Sequence, residues 1–219
     1  MIYTIGGIKG GTGKSTIATN LAVMLKNSGR DVLLVDADDQ PTATLFTAKR
    51  NETLGASGYT AIRLREMDVY HQVLNMKERF DDVVIDTGGR DTKSQRSALA
   101  ITDLYILPFR PRSFDVWTIY DVVQVIDEIR TLRPGLKSVA VLSQTDASGT
   151  EVEDTRKLFL EDETIRKTLT FLNTPIGNRK AFAHAASEGL AVTEYKNKDR
   201  KAIEEITRFF EAVTKFEPK

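Results

Sequence analysis

The stretch KGGTGKST at residues 9–16 constrains this chain more than any other. An apolar run, IYTIGGI at 2–8, leads into it, and an amphipathic stretch at 14–28 leads out. Glycines let successive backbone N–H groups turn toward an anion, because no Cβ blocks the approach. A helix that begins inside the loop adds the positive end of its dipole. Strand, glycine loop and helix in that order predict a phosphate-binding loop made of Gly10, Gly11, Thr12, Gly13, Lys14, Ser15 and Thr16. Lys14 is placed to reach the β- and γ-phosphates of a nucleotide, and the Ser15 hydroxyl to ligate Mg²⁺. The same order weighs against a glycine-rich turn with no ligand. A second lysine, Lys9, stands just before this run, and a nucleotide already held by Lys14 does not require it.

Short apolar runs alternate with amphipathic stretches along the rest of the chain. The runs at 31–37, 59–64, 81–89, 103–109, 138–145 and 168–173 are predicted strands. Helices are expected near 42–49, 68–80, 114–132 and 199–215, the third with Val122, Val125, Ile126 and Ile129 on one face. This β-α-β-α order predicts an α/β fold, a mostly parallel central β-sheet with helices on both faces. At 219 residues the chain suffices for one well-buried domain, 1–219, and is marginal for two. Ligands of such sheets bind at the carboxyl ends of the strands. The glycine loop, the pair Asp36 and Asp38, and Asp86 each close a strand, so they are expected to converge on one sheet edge.

The second motif, LLVDADDQ at 33–40, places two carboxylates at alternate positions of a strand end, where they can face the same site. One can hold a metal-bound water and the other can orient an attacking water. The third, DDVVIDTGG at 81–89, closes an apolar strand with Asp86, an acid that would contact Mg²⁺ through water. Gly88 and Gly89 would let backbone come close to a γ-phosphate. Taken alone, each is a polar turn at a strand end; beside a phosphate loop they read as parts of one site.

Composition removes other classes. The absence of cysteine excludes disulfides, thiolate metal sites and cysteine-ligated iron–sulfur clusters, and it fits a reducing cytoplasm. The 31 Lys and Arg residues balance 31 Asp and Glu residues, so any attraction to DNA or an anionic membrane must come from a local patch. No apolar run approaches the roughly 18 residues that span a bilayer. No basic region precedes the apolar residues 1–8, unlike a signal peptide.

The three motifs together carry a family resemblance. Lys9 in KGGTGKST matches the signature lysine of the deviant Walker A loop, and DADDQ and VVIDTGG resemble that family's other nucleotide motifs. The chain resembles the ParA/MinD family of P-loop ATPases, in its short ParA form. The likeness continues through ALAITDLYILPFRPRSFDVWTIYDVV at 98–123 and TPIGNRKAFAHAASEGLAVTEYKNKDRKAIEEI at 174–206, covering nearly the whole chain. Asp39 departs from the pattern, which usually has proline there, and a local change in the turn is expected.

The resemblance implies an enzyme that binds and hydrolyses ATP with Mg²⁺, with Lys9, Lys14 and Asp38 as catalytic residues. Lys9 would reach across a nucleotide-sandwiched homodimer to the partner's phosphates. A cation supplied only on dimerisation makes charge stabilisation of the transition state conditional on assembly. Asp38 would orient the attacking water. Ser15, Asp36 and Asp86 would support the metal, Asp36 also steadying the loop. Adenine contacts would fall at Gln144 and Thr145 and at the turn of Pro175, Ile176 and Asn178. Arg110 and Arg112 follow a strand on the nucleotide edge and fit a dimer interface.

The resemblance further implies a clock. The ATP dimer would bind DNA without sequence preference, and a ParB-like or other cargo adaptor would stimulate hydrolysis. Such a protein is cytoplasmic and associates with the nucleoid in its ATP state; plasmid or chromosome partition is the leading task. Residues available for DNA are Arg179, Lys180, Lys196, Lys198, Arg200 and Lys201, diluted by Glu188, Glu194 and Asp199. A dimer doubles the patch, and phosphate contacts act in sum with a steep salt dependence. The competing functions are a MinD-like membrane-associated ATPase and a ParA-like positioner of a non-DNA cargo. Membrane binding needs a terminal helix with a free apolar face and basic residues. KAIEEITRFFEAVTKF at 201–216 has the apolar face, but Glu204, Glu205 and Glu211 stand on its polar side. That helix is expected to pack on the sheet, and no membrane partner is expected.

Overall fold

The runs IYTI, VLLVDA, DVVIDT and LYILPF are buried at every position, a pattern suited to strands covered on both faces. The computed structural model describes residues 1–89, 92–111, 113–146 and 151–216, so Arg112 lies outside the described residues. The strands are β1 (Ile2–Ile5), β2 (Val32–Ala37), β3 (Thr60–Arg63), β4 (Asp82–Thr87), β5 (Leu104–Phe109), β6 (Lys137–Thr145) and β7 (Thr170–Gly177). They form one sheet in the order β3-β2-β4-β1-β5-β6-β7, and every pairing is parallel. The connecting helices are α1 (Lys14–Asn27), α2 (Thr42–Leu54), α3 (Met67–Met76), α4 (Lys93–Leu99) and α5 (Ser113–Arg130). They are followed by α6 (Glu151–Glu161), α7 (Glu163–Thr168), α8 (Lys180–Ser187) and α9 (Arg200–Thr214). The expected class is the observed one.

Alternation along the strands feeds two core layers. Val84 joins Ile17, Leu21 and Leu25 of α1 and Ile206, Phe209 and Val213 of α9 on one face. Its neighbours Val83 and Ile85 join Val69 and Val73 of α3 on the other. Further along that second face, Val122, Val125, Ile126 and Ile129 of α5 pack with Tyr105, Leu107 and Leu142, as their spacing predicts. The last helix buries its apolar face against the sheet. Among the described residues no helix is long and apolar enough to cross a membrane.

Four helices, α4, α6, α7 and α8, fall outside the stretches expected to be helical, and each is short, at 6 to 11 residues. Local hydrogen bonds start two of them. The Thr92 hydroxyl accepts from Gln95 N at 3.2 Å, and the Asp162 carboxylate accepts from Ile165 N at 2.9 Å. The first strand is shorter than its apolar run. It ends at Ile5, and Gly6 N donates to the Ile106 carbonyl at 3.0 Å before the chain leaves the sheet.

Away from the strand ends, an ion pair between the buried Arg50 and the half-buried Glu194 ties three segments together. Arg50 of α2 donates to both Glu194 oxygens at 2.6 and 2.8 Å, and to the carbonyls of Ser57 and Gly189. Glu194 also accepts from Asn27 at the end of α1 and from Ala191 N. Burial pushes the Glu194 carboxyl up, but the hydrogen bonds from Arg50, Asn27 and Ala191 outweigh it and hold the pKa below its ordinary value. Removing one partner of such a pair strands the other. Arg50→Ala is therefore expected to lower the unfolding free energy by about 3 kcal/mol, measured by urea denaturation. A loss under about 1 kcal/mol would rank the pair with surface salt bridges.

Candidate nucleotide-binding site

Parallel register assembles the site. It sets Ile5, the last residue of β1, beside Asp86, and Asp86 beside Asp36. The ends of β1, β2 and β4 thus meet, and a cleft of about 1020 Å³ opens above them. Gly10, Gly11, Gly13, Lys14, Ser15 and Thr16 line it from the loop, Asp38 from the second motif, and Gly88 and Gly89 from the third. The expected convergence of the three motifs is present.

Within the loop, Gly13 adopts φ +86° and α1 begins at the next residue. Lys14 is buried, and its Nζ donates to the Lys9 carbonyl at 2.7 Å. Burial pulls the Lys14 pKa down, while the fields of Asp86 and Asp38 oppose the shift. Two acids from separate motifs therefore act on one ammonium. Lys9 is half-buried beside it, and the buried Thr12 hydroxyl has no hydrogen-bond partner among the described residues.

The three acids have different surroundings. Asp36 is buried and occupied: its carboxylate accepts from Thr44 N at 2.8 Å, from the Thr44 hydroxyl at 2.7 Å and from Asp38 N at 3.3 Å. It anchors the first turn of α2 and holds Asp38 in place, which fits support of the loop better than direct metal ligation. Asp38 lines the cleft half-exposed and, among the described residues, only Gln40 N is seen bonded to its carboxylate, at 3.2 Å. Asp86 is fully buried, and neither of its oxygens has a hydrogen-bond partner among the described residues. Burial pushes its carboxyl up to about 7; the nearby Ser15 hydroxyl opposes this, Asp36 and Asp38 add to it, and Lys14 opposes it. A buried carboxylate with unfilled lone pairs beside a serine hydroxyl suits a hard divalent cation.

Gly89 supports the loop from below. A Cβ there would lie 2.6 Å from Gly10 N and 2.7 Å from the Lys9 carbonyl carbon. The third motif thus presses backbone against the phosphate loop itself. At Asp39, the departure from the family pattern, the carboxylate pairs with Arg65 and the carbonyl accepts from Arg63 at 2.9 Å. On the proposed adenine side, Gln144 lines the cleft in a left-handed conformation, φ +55°. Thr145 lies next to it, and its carbonyl accepts from Asn178 N at 2.9 Å. Of the expected adenine contacts only Gln144 lines the cleft; Thr145, Pro175, Ile176 and Asn178 do not.

Several cleft residues were not anticipated. Arg65 and Glu66, after β3, and Thr92, Lys93 and Ser94, at the start of α4, form the far wall. The T-x-x-Q spacing of Thr92 and Gln95 is a capping signal that would have found that helix start. Arg110, expected at a dimer interface, is seen to donate from Nη2 to the Gly11 carbonyl.

The C-terminal cations divide. Arg179 is committed to Glu205 through two bonds at 2.9 and 2.5 Å. Lys180, Lys196, Lys198, Arg200 and Lys201 are exposed, with Lys198 donating to the Thr193 carbonyl at 2.6 Å. Two diluting acids have internal partners, Glu194 on Arg50 and Asp199 as the cap of α9.

Comparison with known proteins agrees with this geometry. Residues 3–216 match the CbiA family, the CobQ/CobB/MinD/ParA nucleotide binding domain. The maintenance of carboxysome distribution protein A of Halothiobacillus neapolitanus is 28% identical over 213 residues, 95% of this chain and 94% of that protein. Among solved structures, apo McdA from Cyanothece superposes with a TM-score of 0.77 at 16% identity, covering 97% of this chain and 98% of that one. A plasmid partition protein from Borrelia burgdorferi bound to AMPPNP gives 0.73 at 20% identity, covering 98% of each chain.

The state of Asp86 has a thermodynamic consequence. Between its ordinary pKa near 4 and the folded value of about 7, the folded state binds more protons than the unfolded one. Stability of the nucleotide-free protein from this group is therefore full below that window and is lost as pH rises through about 7. Asp86→Asn is expected to stabilise the nucleotide-free protein at pH ~8 by about 1–2 kcal/mol and by clearly less at pH ~5, where the folded carboxyl is still protonated. Urea unfolding at the two pH values checks this. Equal effects at both would mean that Asp86 does not change charge in the window.

Proposed function

Since this chain belongs to the CobQ/CobB/MinD/ParA nucleotide-binding domain family, we propose that it works, as one domain over residues 1–219, as a ParA-type ATPase. It binds ATP with Mg²⁺, forms an ATP-sandwich homodimer and positions a large cargo. The observation that carries this reading is the cleft at the glycine loop, lined by Lys14 and Asp38, with the buried Asp86 beneath it acting on the same ammonium.

In this reading Lys14 leaves the Lys9 carbonyl for the β- and γ-phosphates, and backbone N–H groups of the loop cradle the phosphates. Ser15 and Asp86 would hold Mg²⁺, which when bound neutralises phosphate charge. Asp36 keeps Asp38 in register. Asp38, with one weak internal bond, orients the attacking water. Lys9 supplies its charge to the partner's nucleotide, so hydrolysis depends on assembly. Gln144 is the adenine-side residue with the best access. Hydrolysis yields ADP and phosphate, removes the bridging γ-phosphate and loosens the dimer.

For the cargo step, the exposed Lys180, Lys196, Lys198, Arg200 and Lys201 form the surface for non-specific DNA, and Arg179 is structural. The protein then acts in the cytoplasm, on the nucleoid when ATP is bound, until a ParB-like or other adaptor triggers release. Plasmid or chromosome partition fits this surface. The carboxysome-distribution relative favours a second cargo class, a large protein assembly carried by the same clock. A MinD-like use of α9 would require apolar residues that are packed on the sheet.

Two sets of variants test the reading. Asp38→Ala is expected to slow ATP turnover at least about 100-fold and to accumulate an ATP-bound dimer in size-exclusion chromatography; normal turnover removes Asp38 from catalysis. Lys9→Ala should abolish ATP-dependent dimerisation or stimulated hydrolysis. For DNA, replacing Lys196, Lys198, Arg200 and Lys201 by alanine should weaken binding to every duplex sequence. It should also reduce the salt slope by about one for each DNA phosphate that the variant no longer neutralises. Arg179→Ala should change it far less. Unaltered affinity in the fourfold variant would place the DNA surface elsewhere.

A further inference from the structure

Two carbonyls of the phosphate loop are held by long cations. Lys14, which lines the cleft, takes the carbonyl of Lys9. Arg110, just past the end of β5, takes the carbonyl of Gly11 through Nη2, and it does not line the cleft. Its Nε is buried without a hydrogen-bond partner among the described residues. A buried guanidinium nitrogen left unsatisfied has a cost, so its placement against the loop calls for a compensating role.

Peptide geometry supplies that role. No peptide bond in the described chain is cis. In a planar trans peptide the carbonyl and the following N–H point in opposite directions. The Gly11 carbonyl turns toward Arg110, away from the cleft, so the N–H of Thr12 turns the other way, toward the side where the nucleotide would lie. Gly11 sits at φ +70°, exposed, with space around it: a Cβ there would meet nothing closer than Arg110 Nη2 at 3.5 Å. Glycine in such a place rotates readily, and backbone contacts alone would leave this peptide free to flip.

We propose that Arg110 is a positioning residue of the phosphate loop: by holding the Gly11 carbonyl outward, it presets the Thr12 N–H to meet a nucleotide phosphate. The inference rests on the nucleotide-binding reading above and deepens it. It also moves Arg110 from an interface role to one within its own subunit. Loop N–H groups cradle the α- and β-phosphates, which ADP and ATP share. Arg110 therefore acts on both nucleotides alike, and on affinity rather than on the chemical step.

The test uses the full chain with ADP and ATP titrated by calorimetry, and turnover measured at saturating ATP. R110M and R110A remove the donor, so one folded variant suffices, with thermal unfolding in the absence of nucleotide as the check. Either is expected to weaken ADP and ATP by a common factor of about ten and to leave kcat within about twofold. R110K keeps one donor on a stem of similar reach and should recover most of the lost affinity. Wild-type affinity for ADP in R110M overturns the proposal. So does a loss confined to ATP, which marks an interface residue, or an R110K as weak as R110M, which marks a packing role. Failure of the underlying reading is distinct: the wild-type chain would then bind neither nucleotide.

Discussion

The site depends on the lateral pairing of β4 between β2 and β1. Asp86 is the residue that this pairing fixes. Its neighbours across the sheet are Ile5 on one side and Asp36 on the other, so one row of backbone hydrogen bonds sets the height of all three motifs. Because side chains alternate, a slip of one residue would send Asp86 to the opposite face of the sheet. The apolar residues around it prevent that slip. Val83 and Ile85 belong to one core layer and Val84 to the other, and a slip would exchange them.

The distribution of charge follows from the same frame. An exposed pair such as Arg65 and Asp39 contributes about 0–1 kcal/mol, enough to shape a turn but not to define a fold. An unpartnered buried carboxylate is several times more consequential. The molecule keeps that group at the centre of the site, where a cation and a nucleotide can compensate it, and gives its other buried charges internal partners. Arg50 and Glu194 answer each other, and Asp36 is satisfied by Thr44 and Asp38 N. Among the described residues, Asp86 is the acid of the three motifs with both carboxylate oxygens buried and without a hydrogen-bond partner. That contrast separates a structural acid from a candidate ligand better than sequence spacing does.

Much of this was legible in the sequence because it rests on local pattern. Buried runs such as VLLVDA and DVVIDT announce parallel strands, and the α5 face of Val122, Val125, Ile126 and Ile129 announces a helix. The meeting of the motifs followed from strand ends in a parallel sheet. What went unread depends on contacts between distant segments or lies in short helices marked by caps rather than by periodicity. Nothing in KGGTGKST signals that Arg110, about a hundred residues away, bonds the loop. Arg179 reads as a free cation until Glu205 is seen beside it, and Asp36 and Asp38 look equivalent until Thr44 claims one of them. The helix α4 is mostly polar, and its start is set by one hydrogen bond that the Thr92 hydroxyl accepts from Gln95 N rather than by periodicity.

The internal bonds of the cleft also indicate how it can exchange partners without rebuilding. Lys14 on the Lys9 carbonyl and Asp38 on Gln40 N are each single hydrogen bonds with one charged partner, worth about 1.5–3 kcal/mol. A phosphate or a metal-bound water would offer each charged group a bond of at least the same kind, so a ligand displaces the internal partners at small net cost. The bond on the outer side of the loop differs, since Arg110 holds Gly11 from outside the cleft and need not let go. A nucleotide can thus take Lys14 from the Lys9 carbonyl while the peptide after Gly11 stays oriented.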